Sequence, residues 1–286
     1  MTPRNVLTRR ISFEASLATV PKHFAADGDL ISSHLTACLS AVFPDGEDFF
    51  VRSVRHFRDD ITDPALKRQV AGFIGQEAMH GREHRALNDR LGELGYPVKR
   101  IERITRRAVT FRERLAPPKA NLAMTAALEH WTATLAELVL SNEETRRLFG
   151  HEAIRDVFVW HALEESEHKA VAFDVYKAVG GTERMRVWTM NMIRIGFVVA
   201  MTLFTTASLL GDRETYRKGK LRASWRRFRR SPLAQPALWA QLKDYNRSDF
   251  HPDDSDTDAL LEEWCERLFG PNGTHNDKLV GAGRVA

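Results

Sequence analysis

The chain has 286 residues, a length that allows one large domain or two small ones. Its 43% hydrophobic and 28% charged residues exclude collagen, low-complexity disorder and a disulfide-stapled miniature. A net charge of +4 is too small to argue for nucleic acid, and Cys38 and Cys265, far apart and in no Cys-x-x-Cys, exclude a zinc ribbon or an iron–sulfur site.

The opening MTPRNVLTRRISFEASL holds no apolar stretch long enough for a signal peptide, so the expected compartment is the cytoplasm. Apolar residues then recur at helical spacing nearly throughout, which predicts an all-α protein. Asp29 to Val42 reads as a helix stopped or kinked by Pro44, and a second segment follows from about Asp45 to Phe57. Asp63-Pro64 is a start signal, an N-cap before proline at the first helical position, for a helix running to Leu94 with Gly95 as its stop. Val98 to Leu115 is strongly basic and expected on the outside. Pro117-Pro118 launches a helix from Lys119 to Leu140, and another is expected from Glu152 to Val179, ending at Gly180-Gly181. Thr182 to Leu210 is the most apolar region. Its uncharged part, Ile195 to Leu210, makes roughly 24 Å of helix against a hydrocarbon thickness of ~30 Å, so a buried packing helix is expected ahead of a membrane-surface or oligomer contact, with a true span last. Arg213 to Arg230 carries nine Lys or Arg with Tyr216 and Trp225, a composition that suits either a solvated face or an acidic membrane. From Ser231 onward the chain reads as a wrapping tail with short helices. The whole is expected to be a single domain over 1–286, with a core bundle at about 29–180, the apolar helix at about 182–210 and a basic, wrapping region at about 213–286.

The chemistry lies in carboxylates and histidines on the long helices. Glu77-Ala-Met-His80 and Glu165-Ser-Glu-His168 are both Glu-x-x-His, and two such matches mean little by number alone. Their placement carries the argument. Positions i and i+3 share one helical face, so each pair can grip one metal or two adjacent ones. A dinuclear carboxylate site in a bundle needs this pair twice, plus one Glu from each of two other helices. Glu47 precedes the first pair and Glu129 the second, each on the preceding helix. Glu129 lies in a stretch poor in other charges, where a buried carboxylate needs a partner. Glu164 and Glu167 compete with Glu165, which alone keeps the i, i+3 relation to His168; Glu83 and His84 compete on the earlier helix. His130 points about 100° away from Glu129 and is expected to stay out of the site.

The motifs Pro44-Asp-Gly-Glu47, Gln76-Glu77-Ala-Met-His80, Leu128-Glu129-His130 and Glu164-Glu165-Ser-Glu-His168 resemble those of the ferritin-like di-iron carboxylate superfamily. Within it, the chain is similar, from about Arg10 to Phe250-His251-Pro252, to a bacterial family called predicted metal-dependent hydrolases. The resemblance implies a ferritin-like four-helix bundle with extra C-terminal helices. His161-x-x-x-Glu165-x-x-His168 is similar to the pattern in the p-aminobenzoate N-oxygenase group, which suggests His161 as a seventh ligand, the alternative being a supporting core histidine.

The leading expectation is a di-iron oxidoreductase using O2 on a small apolar or amine substrate, with Mn or Zn as alternative metals. Glu77 and Glu165 would bridge, Glu47 and Glu129 would be terminal, and His80, His168 and His161 would supply nitrogen. Phe49, Phe50, Phe73, Met79 and Trp160 are expected near an apolar pocket. One alternative is a binuclear hydrolase with the same ligands; another is a non-enzymatic ferritin-like metal binder. No nucleophile motif, phosphate loop or dinucleotide fingerprint is present, so no catalytic residue is expected beyond the ligands. A homodimer or a peripheral membrane contact through region 195–230 is the alternative to burial of the apolar helix, and the electron donor is not legible.

Overall fold

A computed structural model describes residues 6–281. A short α1 (Glu14–Leu17) precedes the long helices α2 (Leu30–His56) and α3 (Pro64–Glu93), followed by α4 (Val98–Leu115) and α5 (Pro118–Ser141). After α6 (Glu143–Leu148) come α7 (Glu152–His168), α8 (Val171–Ala178) and α9 (Glu183–Leu210). The last helices are α10 (Lys220–Phe228), α11 (Pro236–Asp244) and α12 (Asp258–Phe269). No strand forms among the described residues, as the periodicity predicts. Helices α2 and α3 pack as one pair and α5 and α7 as another, with α2 on α5 and α3 on α7, which closes a four-helix bundle. Helix α4 lies outside against α2, and its buried side is only Val98, Ile101, Glu102 and Val109.

The starts and stops follow the local chemistry. The Asp63 carboxylate accepts from the Ala65 N–H ahead of α3, and Gly95 takes φ +89° just after it. Pro44 neither stops nor splits α2, contrary to the sequence expectation. Proline removes the N–H that the Ser40 carbonyl would accept from, and Asn88 Nδ2 on α3 donates to that carbonyl instead at 3.2 Å. The expected continuous helix over 152–179 is interrupted directly after His168. There the buried Lys169 side chain reaches the Ser255 carbonyl at 2.6 Å, and the helical ladder resumes with the Asp174 N–H on the Ala170 carbonyl.

Two terminal segments complete the bundle. Residues 6–9 lie along α3 at two glycines, where a Cβ on Gly72 would come within 2.2 Å of the Val6 carbonyl and one on Gly75 within 2.0 Å of Thr8 Oγ1. The 278–280 segment holds the next residues by Ser12 N–H to Lys278 O and Val280 N–H to Arg10 O, both 2.9 Å. This tail fixes Arg9 above the end of α7.

Helix α9 departs most from expectation. Its buried side chains are few (Arg186, Thr189, Met190, Met201, Thr205 and Ser208), and they face α5 and α2. The expected burial fails because nothing among the described residues covers the opposite face, where Ile195 is 65% and Leu203 63% exposed.

Candidate metal centre

Every candidate ligand lies on an inward face of the bundle. Glu47 comes from α2, Glu77 and His80 from α3, Glu129 from α5, and His161, Glu165 and His168 from α7, all essentially buried. The i, i+3 and i, i+4 spacings put side chains of one helix side by side. The bundle then brings four helices to one point. Glu77, Glu129 and His168 have ligand atoms within 4.8 Å of one another, and so do Glu47, Glu77 and His80, and His80, His161 and Glu165. Glu77 and His80 each belong to two of these groups, and Glu165 lies near three of the histidines. Glu77 Oε1 lies 3.1 Å from His168 Nε2 and 3.6 Å from His80 Nδ1. Glu165 Oε1 lies 3.0 Å from His161 Nε2, 3.5 Å from His80 Nδ1 and 3.6 Å from His168 Nε2. His130 stays apart, on the Gln241 carbonyl at 3.2 Å and against Tyr245.

The surrounding groups fix which nitrogen faces the cluster. Glu164 accepts from His80 Nε2 at 3.1 Å, which leaves Nδ1 with a lone pair toward Glu77 and Glu165. Gln76 donates its amide to the Leu7 carbonyl and to Glu167, so its oxygen accepts from His168 Nδ1 at 2.8 Å and Nε2 faces inward. A longer chain sets His161. Asn88 donates to the Ser40 carbonyl and to Glu102, so its oxygen accepts from Ser40 Oγ at 2.8 Å. Ser40 Oγ therefore accepts from His84 Nδ1 at 2.9 Å, and His84 Nε2 accepts from His161 Nδ1 at 2.7 Å. His161 Nε2 is then left without a proton, 3.0 Å from a carboxylate oxygen. Two acceptors at that distance require a proton or a cation between them. His84 thus orients His161, while Glu164 and Glu167, the competitors of Glu165, are held by Arg9 at 3.2 and 2.6 Å. Glu83 is likewise engaged, by the Phe13 N–H and Arg82.

The electrostatics show the same need for positive charge. Burial, reinforced by the negative charge of Glu77, drives the Glu47 carboxyl well above its usual range, and burial with Glu165 and Glu77 raises Glu129 to about 8. Burial opposes charge on Glu77 and Glu165 too, but the histidines hold both below the usual carboxylate range. Burial likewise opposes charge on His80 and His168, yet the surrounding carboxylates raise both well above the ordinary imidazole value. Burial keeps His84 and His161 neutral. Without metal, protons on Glu47, Glu129, His80 and His168 offset much of the charge, but the contact between His161 Nε2 and Glu165 has none. Two divalent cations would supply the same charge to four carboxylates.

The donor set fits such ions. Both oxygens of Glu47, Glu77 and Glu129, with Glu165 Oε2, His80 Nδ1 and His168 Nε2, are buried and have no aligned hydrogen-bond partner. Orphaned polar atoms cost about 1–3 kcal/mol each, and this many at one point is a cost that metal ligation removes. Four carboxylates with three imidazoles suit iron, manganese or zinc better than calcium or magnesium.

An apolar cavity of about 560 Å³ adjoins the cluster, with His161, Glu165 and Phe43 at one end. Its walls come from α2, α5, α7 and α9, and none of Phe49, Phe50, Phe73, Met79 or Trp160, the residues expected there, lines it. Phe73 and Trp160 instead set their edges against the rings of His168 and His80, at centroid distances of 5.0 and 5.1 Å. The other three are core. Arg9 and Asn88 were not foreseen. The acidic Glu164 and Glu167 flanking Glu165 were the available hint of a cation for Arg9.

No curated protein and no solved structure gives a significant match to this chain. A family model described as predicted metal-dependent hydrolase matches residues 7–256 and so takes in every residue of the cluster, and the chain belongs to that family.

Proposed function

We propose that the protein is a dinuclear metal-dependent enzyme acting on a substrate with an apolar group, and that its reaction is a hydrolysis, the chemistry in its family's description. The observation that carries the proposal is the buried cluster of orphaned carboxylate and imidazole atoms at the inner end of an apolar cavity. Glu77, Glu129 and His168 would hold one ion, and Glu47, His80, His161 and Glu165 would hold the other. Such ions supply Lewis-acid polarisation and lower the pKa of water. The chain's own residues hold and shield the site. Glu164, Gln76 and the His84–Ser40–Asn88 series keep three imidazoles aimed inward. Phe43, 4.7 Å from the His161 ring, and the apolar wall keep bulk water from that side.

A second reading has a specific observation behind it. Two irons held by four carboxylates and three imidazoles beside an apolar cavity also suit an O2-dependent oxidase or oxygenase, with an electron donor of unidentified kind. We further propose a cytoplasmic location, which the free thiols Cys38 and Cys265 suit.

One experiment separates them. The metal-free protein is loaded anaerobically with Fe(II), and in parallel with Mn(II) or Zn(II), and metal content is measured per chain. Each form is then tested for O2 uptake with optical spectra and for hydrolysis of acyl esters of increasing chain length. Two ions per chain, with ester turnover in every metal form and lost in Glu165→Ala, is the expected result. O2 uptake confined to the iron form, with no hydrolysis, supports the oxidative reading and refutes the hydrolytic one. Fewer than two ions in every form refutes the dinuclear site.

A further inference from the structure

The uncovered face of α9 is continuous. Trp188, Met192, Ile195, Val199, Leu203 and Leu210 are all more than half exposed, and their spacings follow one side of the helix. From Trp188 to Leu210 that row is about 33 Å long. The neighbouring segment carries the cations. Arg213, Lys218, Arg222, Arg226, Arg229 and Arg230 are exposed and make no ion pair among the described residues, while Leu221 and Trp225 stand exposed among them. Helix α10 is held firmly in place. Ser224 Oγ, buried, donates to Asp29 Oδ1 and accepts from the Ile31 N–H, both at 2.8 Å.

The cavity reaches the same surface. Its walls run from Glu165 and His161 to Leu210, Leu221 and Trp225, and Thr202 and Thr206 are both exposed and on its wall, which marks an opening between α9 and the bundle. About 560 Å³ with apolar walls is the size of a site for one small or chain-like molecule.

We propose that α9 and α10 dock this protein onto an anionic lipid bilayer, and that one lipid acyl chain enters the cavity from that surface toward the metal centre. The row on α9 lies in the interface plane, with its apolar side among the acyl chains and the arginines of α10 at the headgroups. The helix lies on the bilayer and does not cross it, because Met201, Thr205 and Ser208 within its apolar stretch are packed on the bundle, Ser208 Oγ lying 2.7 Å from His34 Nδ1 on α2. Charge selects lipid over a second copy of this chain. A two-fold contact through this face would oppose two identical sets of unpaired cations. The docking stands by itself. The delivery of an acyl chain rests on the proposed enzyme and names its substrate class.

The test uses the full chain free of metal, so its outcome is independent of catalysis. Co-sedimentation is measured with vesicles of phosphatidylcholine alone and with phosphatidylglycerol added, at low and high salt. Preference for the anionic vesicles, weakened by salt, is expected. Combined R222E, R226E, R229E and R230E should weaken it tenfold or more, and Val199→Glu with Leu203→Glu should do the same. These positions are exposed, so folding is checked by circular dichroism and retained. Uptake of a dansyl-tagged long-chain fatty acid, read by energy transfer from cavity tryptophans, should be lost in Thr202→Trp while vesicle binding persists. Equal or absent binding to both vesicle types, or a solution dimer dispersed by Leu203→Glu, would overturn the docking. Undiminished uptake in Thr202→Trp would overturn the chain site. Failure of the metal loading described above would leave these readouts unchanged.

Discussion

Replacing Glu129 with glutamine should stabilise the metal-free protein and destroy its response to metal. The Glu129 carboxyl is 1% exposed, both its oxygens lack an aligned partner, and burial with Glu165 and Glu77 raises its pKa to about 8. In the unfolded chain the same group ionises near the ordinary glutamate value of 4.5. A group whose folded pKa is raised contributes its full stability below the unfolded pKa and loses it as pH climbs toward the folded one. Folding at pH 7 therefore costs up to roughly 3 kcal/mol at this residue, a penalty that glutamine does not carry. Glu129→Gln should then raise the Tm of the metal-free form by about 2–10 °C at pH 7, with little difference at pH 4.5. Metal at about a hundredfold over its Kd stabilises the native protein by ~2.7 kcal/mol, and the variant should lose most of that shift. The assay is thermal unfolding with and without Mn(II) or Zn(II) at both pH values. A less stable metal-free variant that keeps the full metal shift would refute the reasoning, because it would make Glu129 a structural carboxylate.

Three further outcomes follow from the supporting residues. His84→Leu removes the acceptor at 2.7 Å that fixes the His161 ring, so one of two metal ions should bind 10–100-fold more weakly by calorimetry while the other is unchanged. Asn88→Leu strips the Ser40 carbonyl of its donor and should cost about 1–3 kcal/mol in urea unfolding; Pro44→Ala, which restores the missing N–H, should recover part of that loss, and strict additivity of the two changes would refute the link. His34 is pushed down to about 4 by burial, although Asp212 beside it at 3.2 Å favours its charge. The unfolded chain takes up that proton first, so stability should fall as pH drops from about 6.5 to 4, by up to roughly 3 kcal/mol from this group. His34→Gln should flatten the urea midpoint between those pH values, and an unchanged slope would refute the assignment.

The helices and the cluster were legible because both rest on short-range periodicity. Glu77 with His80 and Glu165 with His168 repeat a spacing that only a helix turns into one face, and Glu47 and Glu129 fall one helix earlier each time. What sequence spacing does not carry is the partner of a surface. The apolarity of Ile195 to Leu210 announces that the segment avoids water, but burial depends on whether another part of the chain covers it, and among the described residues none does. Pro44 misled for a related reason: its cost falls on the Ser40 carbonyl, and the donor that meets it lies 48 residues away on another helix. Arg9 is placed by two glycines of α3 and by the 278–280 segment, so no local pattern marks it.

His161 shows where the two kinds of information meet. Its spacing to Glu165 and His168 puts it on the right face but leaves ligand and supporting histidine equally open. The structure adds a proton position, inherited through His84 and Ser40 from Asn88, whose amide is oriented by the Ser40 carbonyl and Glu102. The proline that exposes the Ser40 carbonyl thus helps to fix the amide, and the amide fixes which His161 nitrogen faces Glu165. An apparent defect in α2 and the lone pair aimed at the cluster belong to one hydrogen-bonded series.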